Sequence, residues 1–396
     1  MKIYIILVFT IILSFSTNAQ CTEITADTTY YNNSAFFFNS DTGIVVSFQG
    51  IIQKTHDGGL TWDTTFNFNL FNSRCIHFPI VEGGYSNIGY IGGTDGHIFK
   101  TYDYVGNWNY LSWSTPWYSD ISDIYFIDED IGIVVAESGS VVCKTIDGGI
   151  SWNFQFIKSF ESVDFINDTI GLIAGEGIYR TEDAGDTWVK QNADTTEYYY
   201  SIQMINETKG IAVGTNGTVI LTNDGGQNWS SPNYVTTYPL FSVDFINDSV
   251  GFAVGGWNDG GIIKTTDGGI SWSNYNILSN TSLEEILFVS DSVGYIVGWK
   301  GTVLKTTNGG ATIVIPSVLN DDNELTFNMY PNPVKENLKL IIHQDFSDLN
   351  LRIYKIDGQL ISEYQNFDSN HLRFDTKQLK SGVYFLEYND GKKNLF

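Results

Sequence analysis

The side chains in this sequence best suited to chemistry are acids that return at regular spacing. An aspartate followed by two glycines and, five positions on, a tryptophan recurs in phrases such as Asp147-Gly-Gly-Ile-Ser-Trp152. Calcium loops place acidic residues at alternating positions, and this phrase has a single acid. Glycosidases need two carboxyl groups about 5–10 Å apart. The densest acidic cluster, Asp128 to Asp130, falls where other copies of the pattern have turn residues. The repeated acid therefore indicates a turn in preference to a catalyst or metal ligand.

Other reactive side chains form no recognisable catalytic group. Sialidase chemistry needs three arginines around a carboxylate, whereas the repeat region contains Arg74 and Arg180 alone. The histidines of this region, His56, His77 and His97, lack zinc spacing. No nucleophile elbow or phosphate loop occurs. We therefore predict no catalytic residues, no metal and no cofactor, and we favour a protein that is not an enzyme.

The period of the phrase predicts the elements that position these acids. Successive phrase acids lie 36–46 residues apart, close to the roughly 40–45 residues of a four-stranded propeller blade. Runs of four to eight β-prone residues bounded by Gly, Asn and Asp surround each phrase. Radial stacking of such sheets buries both of their faces. The sequence therefore predicts an all-β fold with a seven-bladed β-propeller over residues 20–315. The structural residues of its seven boxes are Asp57, Trp62, Asp103, Trp108, Asp147, Trp152, Asp183, Trp188, Asp224, Trp229, Asp267, Trp272 and Asn308.

Two boxes depart from this pattern. The phrase at Asp103 is degraded, and we expect it to stabilise its turn less than a complete box does. The phrase at Asn308 has no tryptophan, so the outer strand of blade 7 has two candidate sources. The segment from Cys21 to Tyr30 would join the two ends of the propeller, whereas residues 311–315 would continue the blade locally.

The boxes resemble the Asp-box, or BNR, repeat of sialidases. The wider pattern resembles the propeller of photosystem II assembly factors, which share the Phe-Ile, Gly-x-x-x-Gly and Thr-x-Asp-Gly-Gly-x-x-Trp landmarks over about residues 28–315. The resemblance implies boxes at the blade rim, away from any active site. It also implies an arginine-rich face, which this sequence lacks, so it gives the photosystem role no support.

The first residues predict export. Residues 1–19 have the pattern of a signal peptide, with Lys2, an apolar run and a small-residue exit at Ala19. The apolar run is too short for a membrane-spanning helix, and we predict no membrane span. Among the cysteines, Cys143 falls at a mostly apolar strand position, which predicts a buried thiol. Cys21 and Cys75 are left open as free thiols or a disulfide, because spacing alone cannot show proximity.

A second domain follows a polar linker at residues 316–325. Alternating strands and Asp-Gly turns over residues 326–396 predict a small β-sandwich. The ordered motifs of this region resemble the type A C-terminal sorting domain of the type IX secretion system. That resemblance implies the secretion machinery as a partner and passage through the periplasm to the outer cell surface or the medium. The sorting motif is Tyr330, Pro331, Asn332 and Pro333.

Aromatic side chains are the remaining candidates for recognition. They make up 15% of the chain, and its formal net charge of −24 disfavours nucleic acid and anionic lipid as partners. Exposed rings at a propeller face would bind a sugar or a peptide, and packing between blades is the alternative role. The candidate ligand-binding residues are Trp113, Trp117, Tyr118, Tyr198, Tyr199, Trp257 and Trp299.

The predicted function is that of an exported, monomeric, non-catalytic binding or adhesion module for a surface glycan or protein. Two alternatives remain. One is a glycoside hydrolase with an unrecognised carboxylate pair, which convergent carboxylates at the channel mouth would favour. The other is a protein-binding envelope assembly factor. A flat aromatic face would favour the binding module.

Overall fold

The structure is a computed structural model of the 396-residue chain. It describes residues 30–67, 71–104, 106–111, 119–191, 196–257, 260–279 and 281–310, the strands Ile3–Phe9 and Thr22–Glu23, and six strands between residues 327 and 389. The chain divides into two compact units. One comprises residues 18–316, and the other comprises residues 1–17 with residues 317–396.

The larger unit is a seven-bladed β-propeller made of seven four-stranded antiparallel sheets. The predicted blade number is therefore confirmed. The inner strands of blades 1 to 7 are Asn32–Phe37, Ser73–His77, Ile121–Phe126, Phe160–Phe165, Tyr199–Met204, Leu240–Phe245 and Leu283–Phe288. The second strands are Gly43–Ser47, Gly89–Gly93, Gly132–Ala136, Gly171–Gly175, Gly210–Gly214, Gly251–Gly255 and Gly294–Gly298.

The outer half of each blade carries the box. The third strands are Ile51–Thr55, Ile98–Thr101, Val141–Thr145, Gly177–Thr181, Thr218–Thr222, Gly260–Thr265 and Val303–Thr306. The outer strands of blades 1 to 6 are Asp63–Asn67, Trp108–Leu111, Asn153–Phe156, Val189–Lys190, Asn233–Tyr234 and Ser273–Ser279. Because the strands alternate in direction, the boxes lie at the end of the blade opposite to the start of the inner strand.

The core lies between neighbouring blades and depends on the glycine that begins each second strand. Every residue of the seven second strands is buried. In blade 6 the Phe245 ring covers Gly251, and a Cβ atom added there would lie 2.6 Å from the ring. The recurring Phe-Ile turn and its glycine are therefore one packing unit, which explains their fixed separation in the sequence.

The boxes are hydrogen-bonded turns. In blade 3 the Asp147 carboxylate accepts from the Thr145 hydroxyl at 2.8 Å and from the Ser151 amide at 2.8 Å. The Thr145 hydroxyl oxygen in turn accepts from the Gly149 amide at 2.9 Å. The degraded box does the same, because Asp103 accepts from the amides at positions 106 and 107 at 3.0 and 2.9 Å. The expectation that this box is weaker therefore has no basis in its hydrogen bonds.

In several blades, a basic residue just before the box threonine joins the blade to the next one. The Lys100 ammonium donates to the carbonyl of Gly148 at 2.9 Å, and Arg180 Nε donates to that of Gly225 at 2.9 Å. Lys305 repeats the contact across the ends of the ring, at 3.2 Å from the carbonyl of Gly58. The polar atoms of these boxes thus form hydrogen bonds within their turns and between neighbouring blades.

The N-terminal segment closes the ring. Thr22–Glu23 pairs antiparallel with the third strand of blade 7, with Thr22 opposite Lys305 and Glu23 opposite Leu304. The outer strand of blade 7 therefore comes from the start of the chain, as the first of the two alternatives predicted. Residues 311–315 lie outside the described residues.

The smaller unit contains two sheets, which agrees with the predicted β-sandwich. One has the strand order Ile3–Phe9, Gly382–Asn389, Asn350–Lys355, Leu360–Gln365. The other has the order Phe327–Tyr330, Asn337–Ile342, His371–Asp375. Of the sorting motif, only Tyr330 lies in a described strand, and Pro331, Asn332 and Pro333 lie outside the described residues.

The cysteines of the described residues are buried thiols. Cys143 is 1% exposed, as predicted, and Cys75 is also buried and free. Cys21 lies outside the described residues.

Candidate ligand-binding site at the channel mouth

All seven inner strands contain a β-bulge at their second residue. The pairing with the second strand passes from the first residue of the inner strand to the third, which leaves the second residue without a partner in the ladder. Bulges of this kind redirect a side chain. The residues at these positions, which we call the bulge ring, are Asn33, Arg74, Ser122, Glu161, Tyr200, Phe241 and Glu284, and they all line one cavity of about 860 Å³ at the mouth of the central channel.

Aromatic rings form the wall of the cavity contributed by blades 5 and 6. Tyr200 contacts Tyr198 and Phe241, with ring centroids 5.4 and 5.2 Å apart. Phe241 contacts Trp257 at 4.7 Å. Trp257 follows the second strand of blade 6 and is 54% exposed. A continuous row of rings therefore runs from the channel to the open surface.

A second group of rings comes from blades 7 and 1. Trp299 follows the second strand of blade 7 and contacts Tyr31 at 5.3 Å, and Tyr31 contacts Phe48 at 6.5 Å. Phe48 and Tyr31 are 46% and 40% exposed. Trp257, Phe48 and Tyr31 all line the cavity. Three exposed aromatic side chains thus line this opening.

The wall formed by blades 2 to 4 is charged and centres on Arg74. Its guanidinium lies 2.7 Å from the Glu137 carboxylate, 3.6 Å from Asp120 and 3.8 Å from Glu161. Burial acts to lower the pKa of Arg74, but the three carboxylates outweigh it and raise that pKa. Burial raises the pKa of Glu161, which also accepts from the Tyr198 hydroxyl at 2.9 Å. Carboxylates thus converge here beside an aromatic wall.

Below the bulge ring, the third residues of the inner strands join neighbouring blades. The Asp123 carboxylate accepts from the Val163 amide at 2.9 Å, and the Ser242 hydroxyl accepts from the Ile286 amide at 3.2 Å. Glu285 makes the same contact across the ends of the ring. Burial raises the pKa of Asp123 to about 7 and that of Glu285 to about 8. These carboxyl groups are part of the structure of the channel wall.

Aromatic rings also lie at the ends of the inner strands opposite to the bulge ring. An additional hairpin in blade 2, formed by Ile80–Val81 and Gly84–Tyr85, places Tyr85 against Phe36 of blade 1 with ring centroids 4.9 Å apart. Burial raises the pKa of Tyr85, and the charge of Asp244 on the blade 6 inner strand raises it further. The cavity described above lies at the bulge ring, and these rings are not among the residues that line it.

The structure places some of the predicted ligand-binding residues at the cavity and others elsewhere. Trp257 and Trp299 line the cavity in the loops between second and third strands, and Tyr198 contacts its wall. Tyr199 is 0% exposed and packs in the core between blades 4 and 5, so it is removed from the candidate site. Trp113, Trp117 and Tyr118 lie outside the described residues. Several lining residues were not predicted from the sequence, namely Tyr31, Phe48, Arg74, Glu161, Tyr200, Phe241 and Glu284.

Two expectations from the sequence bear on catalysis. Arg74 lies at the mouth, whereas Arg180 binds a box carbonyl at the opposite end, so the two do not converge on one site. Asp128 accepts from the amides of Asp130 and Ile131 at 2.8 and 2.6 Å, which makes it a turn residue. Over the described part of the chain, no three His, Cys, Asp or Glu side chains are grouped as a metal site.

Comparison with known proteins supports both resemblances. The sequence model of a secretion system C-terminal sorting domain matches residues 328–396, and that of the photosynthesis system II assembly factor YCF48 matches residues 181–278. A comparison with curated proteins gives no match. The sorting domain indicates export to the cell surface or the medium and contact with the secretion machinery. No helix within the described ranges is long and apolar enough to cross a membrane.

Solved structures similar to this chain are propellers. YCF48 bound to a D1 peptide is 18% identical, with a TM-score of 0.60, and the match covers 73% of this chain and 97% of that one. YCF48 from Cyanidioschyzon merolae is 19% identical, with a TM-score of 0.58 and coverage of 72% and 98%. The WD40 propeller domain of Doa1 is 9% identical, with a TM-score of 0.59 and coverage of 72% and 94%. The chain thus combines a propeller resembling the photosystem II assembly factor YCF48 with a C-terminal secretion sorting domain.

Proposed function

We propose that the exported propeller is a non-catalytic binding module whose ligand occupies the cavity at the bulge ring. The observation that carries this proposal is the open cavity of about 860 Å³ walled by aromatic rings. Its volume lies in the range of ligand pockets, about 300–1,000 Å³. Large rigid rings bury much surface at little cost in conformational entropy, which is why they dominate the energetics of binding sites.

A protein ligand is favoured over a glycan. One of the similar structures is described as YCF48 bound to a D1 peptide, and the cavity here combines rings with charged groups. The rings stand in two groups that flank the opening, Tyr200 to Trp257 and Trp299 to Phe48. An exposed peptide segment can place side chains against both groups.

Ring truncation tests the proposal. Peptide and glycan arrays are probed with the purified exported protein and with Trp257→Ala and Phe48→Ala variants. We expect the affinity for a bound peptide to fall by about 2 kcal/mol or more for the variant of a central ring. Phe156→Ala is the matched control, because Phe156 is 60% exposed on an outer strand and does not line the cavity. Binding that survives both mouth variants unchanged would contradict the proposal.

The predicted rings outside the described residues remain part of the hypothesis. Trp113→Ala and Trp117→Ala should weaken binding while the melting temperature stays within a few degrees of the wild type. Collapse of the fold in either variant would assign those rings to the core.

A glycoside hydrolase is the second candidate, because carboxylates do converge at the mouth. Glu161 has a raised pKa, as a general acid requires, and lies near Glu137 through their shared contact with Arg74. The ion pair between Glu137 and Arg74 opposes a nucleophilic role for that carboxylate. Turnover of a glycan that Glu161→Gln abolishes would establish the hydrolase and overturn the binding module.

A further inference from the structure

Acidic residues outnumber basic residues around the cavity. Six carboxyl-bearing residues line it, and Arg74 is the single basic residue among its described lining side chains. Arg74 already lies within 3.8 Å of the carboxylates of Asp120, Glu137 and Glu161. A ligand carboxylate or phosphate would have to compete with all three for one guanidinium. The mouth is therefore unsuited to an anion.

Two of the remaining carboxyl groups belong to the channel wall. Asp123 accepts from the Val163 amide at 2.9 Å, and Glu285 accepts from the Ala35 amide at 2.6 Å. Among the described residues, Glu284 is then the bulge-ring carboxylate that has neither a guanidinium within 4 Å nor a hydrogen bond to a neighbouring blade. Burial raises the pKa of Glu284, and the Ser282 hydroxyl and the charge of Arg74 act against that rise. Its contact within the described residues is the Ser282 hydroxyl of the same strand region.

Two tryptophans line the same cavity as Glu284. Trp299 lies on the same blade, where its amide donates to the Ser282 carbonyl at 3.1 Å. Trp257 lines the same cavity from blade 6, the neighbouring blade. Tryptophan is the ring with the strongest attraction for a cation on its face. A cavity lined by a carboxylate and by tryptophans offers an ammonium or guanidinium group both a counter-charge and rings to pack against.

We propose that the occupant of the cavity is a basic side chain, lysine or arginine, on an exposed segment of a partner protein. This inference rests on the proposed binding function and names the chemistry of its ligand. The apolar stem of such a side chain packs along the rings while its charged head reaches Glu284. The formal net charge of −24 draws basic segments toward the protein, and the mouth then selects them.

A direct test uses the full exported protein and three fluorescein-labelled peptides: octalysine, octalysine with acetylated amines, and octaglutamate. Fluorescence anisotropy at about 150 mM salt screens long-range attraction by the acidic surface. We expect octalysine to bind roughly tenfold or more tightly than its acetylated form, and octaglutamate not to bind. We expect Glu284→Gln and Trp257→Ala each to weaken octalysine roughly fivefold or more.

The matched control is Glu207→Gln. Glu207 is an exposed carboxylate in the turn between the inner and second strands of blade 5, at the opposite end of the blade, and the substitution removes the same charge. We expect this control to change octalysine affinity less than twofold. Glutamine at position 284 keeps an acceptor for the Ser282 hydroxyl, and an unchanged melting temperature verifies that the fold is intact.

The outcomes separate this inference from the proposed function. Three results would overturn the proposal of a basic ligand. They are equal effects of Glu284→Gln and Glu207→Gln, equal binding of octalysine and its acetylated form, and no binding of octalysine. Spermidine binding as tightly as octalysine would overturn the assignment to a protein segment. If a neutral peptide binds and Trp257→Ala weakens it, the proposed function stands without the basic ligand. If Trp257→Ala and Phe48→Ala leave every probe unchanged, both proposals fail.

Discussion

Glu285 joins the two ends of the ring with a carboxyl group that holds its proton near neutral pH. Its Oε2 atom accepts from the Ala35 amide of blade 1 at 2.6 Å, and burial raises its pKa from 4.5 to about 8. Glutamine at this position would keep an acceptor for Ala35 and offer an amide donor toward Ser34, which also contacts this side chain. We therefore predict that Glu285→Gln stabilises the propeller at neutral pH.

The sign and size of this effect follow from the shift in pKa. The unfolded carboxyl ionises above about pH 4.5 and the folded one above about pH 8. Folding thus takes up a proton between these values, and the wild-type protein loses stability as the pH rises through them. At pH 7 the full shift would cost about 3 kcal/mol. Because the side chain borders the cavity, we expect about half of this, 1–2 kcal/mol.

Urea unfolding at pH 4.5 and pH 7.5 measures the difference. Tryptophan fluorescence reports on the propeller, because all ten tryptophans lie between residues 62 and 299. The variant should gain stability over the wild type at pH 7.5 and match it within about 0.5 kcal/mol at pH 4.5. Glu176→Gln is the control, since Glu176 is an exposed carboxylate 2.8 Å from Lys158 and should change stability by about 0.5 kcal/mol or less at either pH. An equal loss of stability for Glu285→Gln at both pH values would refute the reasoning.

Three further predictions concern the boxes, the ring and export. Asp147→Ala and Asp103→Ala should each lower the unfolding free energy by about 1–3 kcal/mol, because both leave turn amides without an acceptor; urea unfolding that finds the Asp103 variant unchanged would contradict this. Deleting residues 20–30 removes the outer strand of blade 7 and should lower the melting temperature by several degrees, and an unchanged melting curve would reject that closure. Removing residues 326–396 should retain a folded propeller in the periplasm, and cell fractionation that finds normal amounts outside the cell would overturn the sorting assignment.

The repeating part of the fold could be predicted from the sequence because the same hydrogen bonds and packing contacts recur from blade to blade. The box threonine donates to the aspartate, or to Asn308 in blade 7, in the same way in each blade. The glycine of the second strand admits an aromatic ring in six blades and Met204 in blade 5. These constraints act on every copy, so they leave a periodic signal. The closing strand could also be predicted, because the incomplete box at Asn308 indicated that blade 7 lacks an outer strand of its own.

The mouth could not be predicted in the same way, because the bulge breaks the alternation of the inner strand. A regular strand sends alternate side chains to opposite faces. In blade 5 the first residue, Tyr199, packs in the core, while the second and third, Tyr200 and Ser201, both line the cavity. The sequence contains no motif that marks the bulge residue, so Tyr199 was predicted to lie on the binding face. The charged wall was missed for a related reason, since Arg74 and Glu161 stand at equivalent positions whose residue types differ.

The bulges also divide each inner strand into two sets of residues. One set packs in the core of the propeller, and the other lines the proposed ligand-binding cavity. The first, fourth and sixth residues of an inner strand, such as Ile121, Ile124 and Phe126, are buried between blades. The second residues of the seven strands include amide, guanidinium, hydroxyl, carboxylate and aromatic side chains on one backbone arrangement. In the proposed binding module, mutation at these seven positions should alter specificity with little loss of folding. They are therefore the positions to randomise when new binders are selected in the laboratory.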